Sequence, residues 1–243
     1  MHKMKDGYYI TTDGKKTELF PPARKNEVLD VFSRCIKELV VPEGYKEVWC
    51  SYNQLTSLVL PEGVEYVSCN NNQLTSLELS EGVETVSCEN NQLTSLVLPE
   101  GIQKVSCDNN QLTSLVLPNG IKHISCENNQ LTSLVLPKGV ETVYCNNNQL
   151  SSLELPNGIK HIFCKNNQLT SLVLPEGTKE VRCSYNQLTS LVLPEGIKEV
   201  FCNDNQLTSL ELPKGIKKVW CDISVKLINL NRKETEVTLY ANK

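Results

Sequence analysis

Cysteine is the residue type in this sequence whose number first suggests chemistry. There are 11, alongside 3 histidines, in a chain of 243 residues. Thiols at short spacing would hold a metal, paired thiols would form disulfides, and a thiol beside a base would be a nucleophile. Spacing decides among these. Cys50, Cys69, Cys88, Cys107, Cys126, Cys145, Cys164, Cys183, Cys202 and Cys221 each lie 19 residues from the next, and only Cys35 stands outside the series. Even the nearest pair, Cys35 and Cys50, has 14 residues between its members, so no Cys-x-x-Cys metal pair exists. An odd number of thiols cannot all pair within one chain. Side chains running parallel into a core also disfavour disulfide torsions. The ten periodic cysteines are therefore read as small buried hydrophobes. A row of free thiols points to a reducing, cytoplasmic-type compartment. No cofactor and no metal are expected. His123 and His161, two periods apart, would sit two strands and roughly 10 Å from each other, too far to share one ion.

The element that positions the cysteines is a repeat. Asn-Gln-Leu recurs with leucines from Leu55 to Leu207, glycine from Gly63 to Gly215, and proline from Pro42 to Pro213 with Ser80 as the exception, all at steps of 19. The unit reads Cys-x-x-Asn-Gln-Leu-Thr-Ser-Leu-x-Leu-Pro-x-Gly-[Val/Ile]-x-x-[Val/Ile]-x. In Val67-Ser68-Cys69 apolar residues alternate with a variable one, which predicts a half-buried strand. Stacked in register, such strands make a parallel sheet with ~4.8 Å between neighbours. Leu55, Leu58 and Leu60 fill the interior from the other side, and Leu58-Val59-Leu60-Pro61 predicts an extended or polyproline-like wall. Leu60-Pro61-Glu62-Gly63 is read as a tight turn with Pro second and Gly fourth. Asn53 and its eight equivalents are read as structural, bonding backbone groups of the next turn.

Re-phased, one copy is Val64-x-x-Val67-x-Cys69-x-x-Asn72-x-Leu74. This resembles the leucine-rich-repeat core L-x-x-L-x-L-x-x-N-x-L, over residues 36 to 221. The short unit with its Leu-Pro segment is similar to the bacterial leucine-rich repeats of YopM- and IpaH-type effectors. It differs from them in its length of 19, its repeated Cys and its Pro-x-Gly. The resemblance implies a repeat solenoid: a leucine-rich-repeat horseshoe with a parallel β-sheet on its concave face and an extended convex side. It further implies a bacterial protein exported without a cleaved signal and acting in a host cytosol. IpaH-type effectors add a large ligase domain after the repeats. Only 22 residues follow Cys221, so no such domain is expected within this sequence.

Both ends depart from the repeat, as caps of a solenoid do. Residues 1–35 are read as an N-terminal cap. It would comprise a hairpin over 8–19 with an Asp13-Gly14 turn, then a short helix from 26 to about 35 with Val28, Leu29, Val31 and Phe32 as its apolar face. Residues 36–221 are the repeats. Residues 222–243 are read as a C-terminal cap, a hairpin of 225–230 with 236–240.

Function in such a scaffold is expected in its variable positions. The outward column at the middle of the strand reads Trp49, Ser68, Ser87, Ser106, Ser125, Tyr144, Phe163, Arg182, Phe201, Trp220. Both tryptophans and half of the 4 phenylalanines fall there, though aromatics are only 6% of the chain. Aromatics and Arg dominate binding hot spots. Tyr144, Phe163, Arg182, Phe201 and Trp220, with Lys165 and Lys218 beside them, are thus the candidate partner-binding residues. A self-packed aromatic ladder is the alternative reading, compatible with the first. Charge divides similarly. Residues 51–156 carry 3 basic and 11 acidic groups, a net of -8, whereas residues 157–243 carry 12 and 9, a net of +3.

The chain is accordingly read as a non-catalytic protein-protein interaction module, monomeric, with a protein partner. No hydrolase triad, phosphate loop or metal motif argues for an enzyme. Glycan or nucleic-acid recognition by stacking on the aromatic stripe is an alternative, though a net of +3 argues against nucleic acid. A consensus-like scaffold without a specific ligand is another. No apolar run reaches the ~18 residues of a membrane helix, and no secretory signal is expected.

Overall fold

In a computed structural model, residues 7–22 and 27–241 are described. Their contacts divide the chain into two compact units, Met1–Ile121 and Lys122–Lys243.

The first unit contains β1 (Gly7–Thr11), β2 (Lys16–Leu19), β3 (Glu27–Asp30), β4 (Ile36–Val40), β5 (Tyr45–Trp49), β6 (Ser57–Val59), β7 (Tyr66–Ser68), β8 (Thr85–Ser87) and β9 (Lys104–Ser106). One wall is parallel, with β3, β5, β7, β8 and β9 side by side. Val67 pairs with Val86 and Ser68 with Ser87, so each column of the repeat is a row across the sheet. A second sheet has the order β2-β1-β4-β6. The predicted hairpin is present, since β1 and β2 pair antiparallel around Asp13-Gly14.

The second unit contains β10 (His123–Ser125), β11 (Thr142–Tyr144), β12 (His161–Phe163), β13 (Glu180–Arg182), β14 (Glu199–Phe201), β15 (Ser209–Glu211), β16 (Lys218–Asp222), β17 (Lys226–Ile228) and β18 (Glu236–Tyr240). Strands β10, β11, β12, β13, β14, β16 and β18 form its parallel wall in that order. The opposite wall is extended, as predicted, and here and there pairs as sheet, at Val135 with Glu154 and Val173 with Val192. Each unit is thus a parallel-strand solenoid, with no helix among the described residues.

Alternation of the side chains explains the core. Val67, Val86 and Val105 and the cysteines two residues beyond them are 0–3% exposed. Leu74, Leu93 and Leu112 are fully buried behind them. The conserved spacing of Asn then solves the problem of buried backbone. Asn91 Nδ2 donates to the carbonyls of Cys69 and Cys88, at 3.1 Å each, while its Oδ1 accepts from the Leu74 amide at 3.0 Å. Asn167 does the same in the second unit, with Cys145, Cys164 and the Leu150 amide. The asparagine is structural, as expected, but its bonds run to its own turn and the preceding one, not to the next.

Three local expectations need correction. The helix from 26 to about 35 is a strand instead: β3 lies parallel to β5, with Leu29 and Val31 buried and Val28 and Phe32 exposed. (Asn26 lies outside the described residues.) That is period two, and the pairing it permits outweighs the weak i, i+3, i+4 pattern. The hairpin of 225–230 with 236–240 is likewise absent. Strand β17 pairs parallel with β15, and β18 pairs parallel with β16, so these residues add one more turn to the solenoid. Finally, the tight turn sits one residue later than expected. The carbonyls of Pro156 and Pro175 accept from the amides of Ile159 and Thr178. The turn is therefore Pro-x-Gly-Ile/Thr. Gly158, at φ 93°, occupies the third position, where a positive φ is required.

Candidate partner-binding surface

The surface of the second unit is built on strands whose inward residues leave no choice of orientation. Val143, Ile162, Val181, Val200 and Val219 are all buried, so their strand neighbours Tyr144, Phe163, Arg182, Phe201 and Trp220 lie on the opposite face. The parallel register places Tyr144 beside Phe163, Phe163 beside Arg182, Arg182 beside Phe201, and Phe201 beside Trp220.

The five side chains form a continuous stack. Tyr144 and Phe163 are 4.4 Å apart with planes 11° from parallel. The Arg182 guanidinium lies 5.2 Å from the Phe163 ring and 4.5 Å from the Phe201 ring, between the two. Phe201 and Trp220 are 4.7 Å apart and tilted by 58°. Each cation–π contact is worth about 0.5–1 kcal/mol at an exposed site. Glu180, on the same strand as Arg182, accepts from its Nε at 2.6 Å and fixes the guanidinium in this slot. The second Glu180 oxygen lies 3.6 Å from Nδ1 of His161. The two histidines of this unit thus sit apart, on β10 and β12, with β11 between them.

Exposure differs along the row. Tyr144 (38%) and Arg182 are exposed, Phe201 and Trp220 are half-buried, and Phe163 is only 9% exposed because Tyr144 and Arg182 cover both its faces. A partner would therefore meet Tyr144, Arg182, Phe201 and the edge of Trp220, with Phe163 as filling. The Trp220 Nε1 is buried and has no hydrogen-bond partner. Lys165 does not join the row directly. Its ammonium lies 5.0 Å from the Tyr185 ring. Lys218 Nζ lies 3.9 Å from Glu199 at the other margin.

Two residues of this surface escaped the sequence reading. Tyr240, on β18, extends the stack, 5.9 Å from Trp220. The template could not reveal it, because β18 pairs at a step of 18 instead of 19. Tyr185 is the other. The position two after the cysteine has a left-handed backbone in turn after turn, at φ 53–57° from Asn128 to Asp204, and Asn is the side-chain-bearing residue that best tolerates it. Tyr185 departs from Asn there, and the departure itself was the available signal. Asp204, beside it, raises the Tyr185 hydroxyl above its ordinary pKa by its negative charge and holds it protonated.

In the first unit the same column carries Ser68, Ser87 and Ser106, and their hydroxyls are used internally. Ser68 bonds Ser51, Ser87 accepts from Asn70 Nδ2, and Ser106 donates to Glu89. The cysteines take no part in either surface. Burial pushes the Cys69 and Cys164 thiols from 9.0 up to about 12, which keeps them protonated and unreactive. Cys35 alone is exposed.

No protein-family model and no curated protein matches the sequence. Solved structures do match the fold. YopM from Yersinia enterocolitica WA-314 is 22% identical with a TM-score of 0.71, covering 84% of this chain and 52% of its own. The leucine-rich repeat domain of APL1B is 19% identical with a TM-score of 0.69, covering 83% and 72%. YopM described as a leucine-rich effector protein from Yersinia pestis is 24% identical with a TM-score of 0.58, covering 86% and 59%. The chain spans about half the length of the first of these. The likeness shows the fold: a parallel-strand solenoid of the leucine-rich-repeat kind, which this chain builds from 19-residue turns of strand, asparagine and extended return.

Proposed function

We propose that the chain is a non-catalytic protein-binding module, and that its contact surface is the row Tyr144, Phe163, Arg182, Phe201, Trp220 with Lys165 and Lys218 at its margins. One observation carries this reading. Within turns that are otherwise nearly identical, the variable column of the second unit collects flat, weakly hydrated groups into one outward-facing stack. Such groups gain most when a partner removes them from water. The arginine, held by Glu180, keeps free N–H donors for that partner. The self-packed ladder is the form this surface takes when unbound, so stacking and binding do not compete.

The reading extends to the place of action. A column of free, buried thiols suits a reducing compartment. One structure similar in fold is described as an effector protein, which supports action inside a host cell. Affinity capture from a eukaryotic cell lysate tests both, comparing the native chain with Arg182→Ala plus Phe201→Ala. A partner retained by the native chain and lost from the variant, with unchanged circular dichroism, is the expected outcome. Equal recovery by both would remove the row from the binding surface.

A further inference from the structure

A second column of the second unit bears on a different contact. Lys160, Lys179, Lys198 and Lys217 occupy the same position on four successive turns. The Lys179 amide donates to the Lys160 carbonyl, Lys198 to Lys179, and Lys217 to Lys198, each at 2.8 Å. Neighbouring backbones are therefore one strand spacing apart, ~4.8 Å. The four side chains are exposed. Like charges stacked at this distance destabilise a sheet, so the column is a cost unless something offsets it.

Within the chain only the two ends meet an opposite charge: Glu141 precedes Lys160 in the column, and Glu236, whose amide donates to the Lys217 carbonyl at 2.8 Å, follows Lys217 without closing an ion pair. Glu141 pairs with Lys160 at 2.6 Å. Among the described residues, no carboxylate lies within ion-pair distance of Lys179, Lys198 or Lys217. The carboxylates one position along the strands are engaged elsewhere, Glu180 with Arg182 and Glu199 with Lys218. The lysines are also set in order. Lys198 Nζ reaches the next turn and donates to the Gly215 carbonyl at 3.4 Å. Lys179 Nζ lies 3.8 Å from where a side chain of Gly196 would begin. Glycine in the turn leaves room for the ammonium of the preceding turn, and each ammonium keeps further donors open to solvent.

We infer that Lys179, Lys198 and Lys217 form a docking line for an acidic, extended stretch of polypeptide. The line is about 10 Å long, two strand spacings, the length of a few extended residues. At Lys179 and Lys198 it is one lysine wide, with Glu176 and Glu195 exposed in the turns on one side and Glu180 and Glu199 on the strands on the other; at Lys217 it widens, because Lys214 and Lys218 take those two places. Around the first two lysines these flanks admit a single file of carboxylates and oppose the two phosphate strands of a duplex. The line does not depend on the aromatic row, and either surface can bind without the other.

Fluorescence anisotropy with labelled decaglutamate tests the line directly. The full chain is expected to bind it, more weakly as salt rises. Lys179→Gln/Lys198→Gln/Lys217→Gln is expected to weaken binding roughly tenfold. Lys37→Gln/Lys46→Gln/Lys104→Gln, which removes the same charge from the first unit, is expected to leave it unchanged. Lys198→Glu alone gives a second, single-site check, and circular dichroism confirms that each variant folds. Absence of binding by the native chain, or equal weakening by both triple variants, would overturn the inference. So would decathymidylate bound as tightly with the same dependence on the three lysines, which would make the line a nucleic-acid contact. Arg182→Ala/Phe201→Ala should keep its affinity for decaglutamate, so failure here leaves the reading of the aromatic row standing.

Discussion

The two units share one backbone and differ in what they display. In both, asparagine closes the buried turn, cysteine fills the strand and leucine fills the interior. Yet in the first unit the middle column, after Trp49, is hydroxyl, with Ser68, Ser87 and Ser106 bonded sideways into their own surface. In the second, beyond Ser125, it is aromatic and cationic, stacked along the sheet. The difference shows that the scaffold's hydrogen bonds are independent of the outward column. A turn can change its surface without renegotiating its core, because alternate residues of a strand face opposite ways.

That independence can be broken or sharpened by experiment. The largest effect should come from alkali. The cysteines are raised by burial in both units, Cys69 and Cys164 to about 12. A raised folded-state pKa means stability that is whole below the unfolded value of 9.0 and lost as pH rises toward 12. Each such thiol steepens the loss by about 1.4 kcal/mol per pH unit. Urea unfolding followed from pH 8 to 11 should show both units failing together. Failure of one unit alone would show that their cores are not equivalent.

Next in size is the asparagine. Asn91→Ala and Asn167→Ala each strand a buried leucine amide and leave two carbonyls with one asparagine donor instead of two, and each should cost about 1–3 kcal/mol in urea unfolding. Equal losses in the two units would sharpen the comparison, and unequal ones would break it. Smaller still is the outward column. Arg182→Ala should lower stability by about 0.5–1.5 kcal/mol through its two ring contacts, and Ser87→Ala by about 0.5 kcal/mol. Neither should move the unfolding of the other unit. The smallest effect should be a gain. Tyr185→Asn restores the residue best suited to a left-handed backbone, and the melting temperature should rise by about 1–2 °C.

Where the period of 19 held, the sequence made the fold legible down to the buried face of each strand. The structural role of the asparagine and the aromatic column followed from the same count, but not the turn to which the asparagine bonds. Legibility failed where the period slipped. Val219 pairs with Val237 at a step of 18 and Leu210 with Leu227 at 17, so a further turn read as a hairpin. Over 27–32 the alternation of Leu29 and Val31 with Val28 and Phe32 was too short to outvote a helical pattern, and only pairing with β5 decided it. Tyr185, Tyr240 and the lysine line went unread for another reason. They concern contacts between turns, and a template that aligns turns treats such variation as surface drift.

The asparagine bond also has a direction. Asn72 Oδ1 serves the amide of Leu55, Asn91 that of Leu74, and Asn110 that of Leu93. In each of these pairs a turn is completed by the one that follows it in the sequence. A chain emerging from the ribosome thus always ends in a turn that lacks its acceptor, and each new 19 residues repair the last exposed edge while opening another. Synthesis and closure advance in the same sense, one turn apart, so that an interrupted chain carries a single unfinished edge whatever its length.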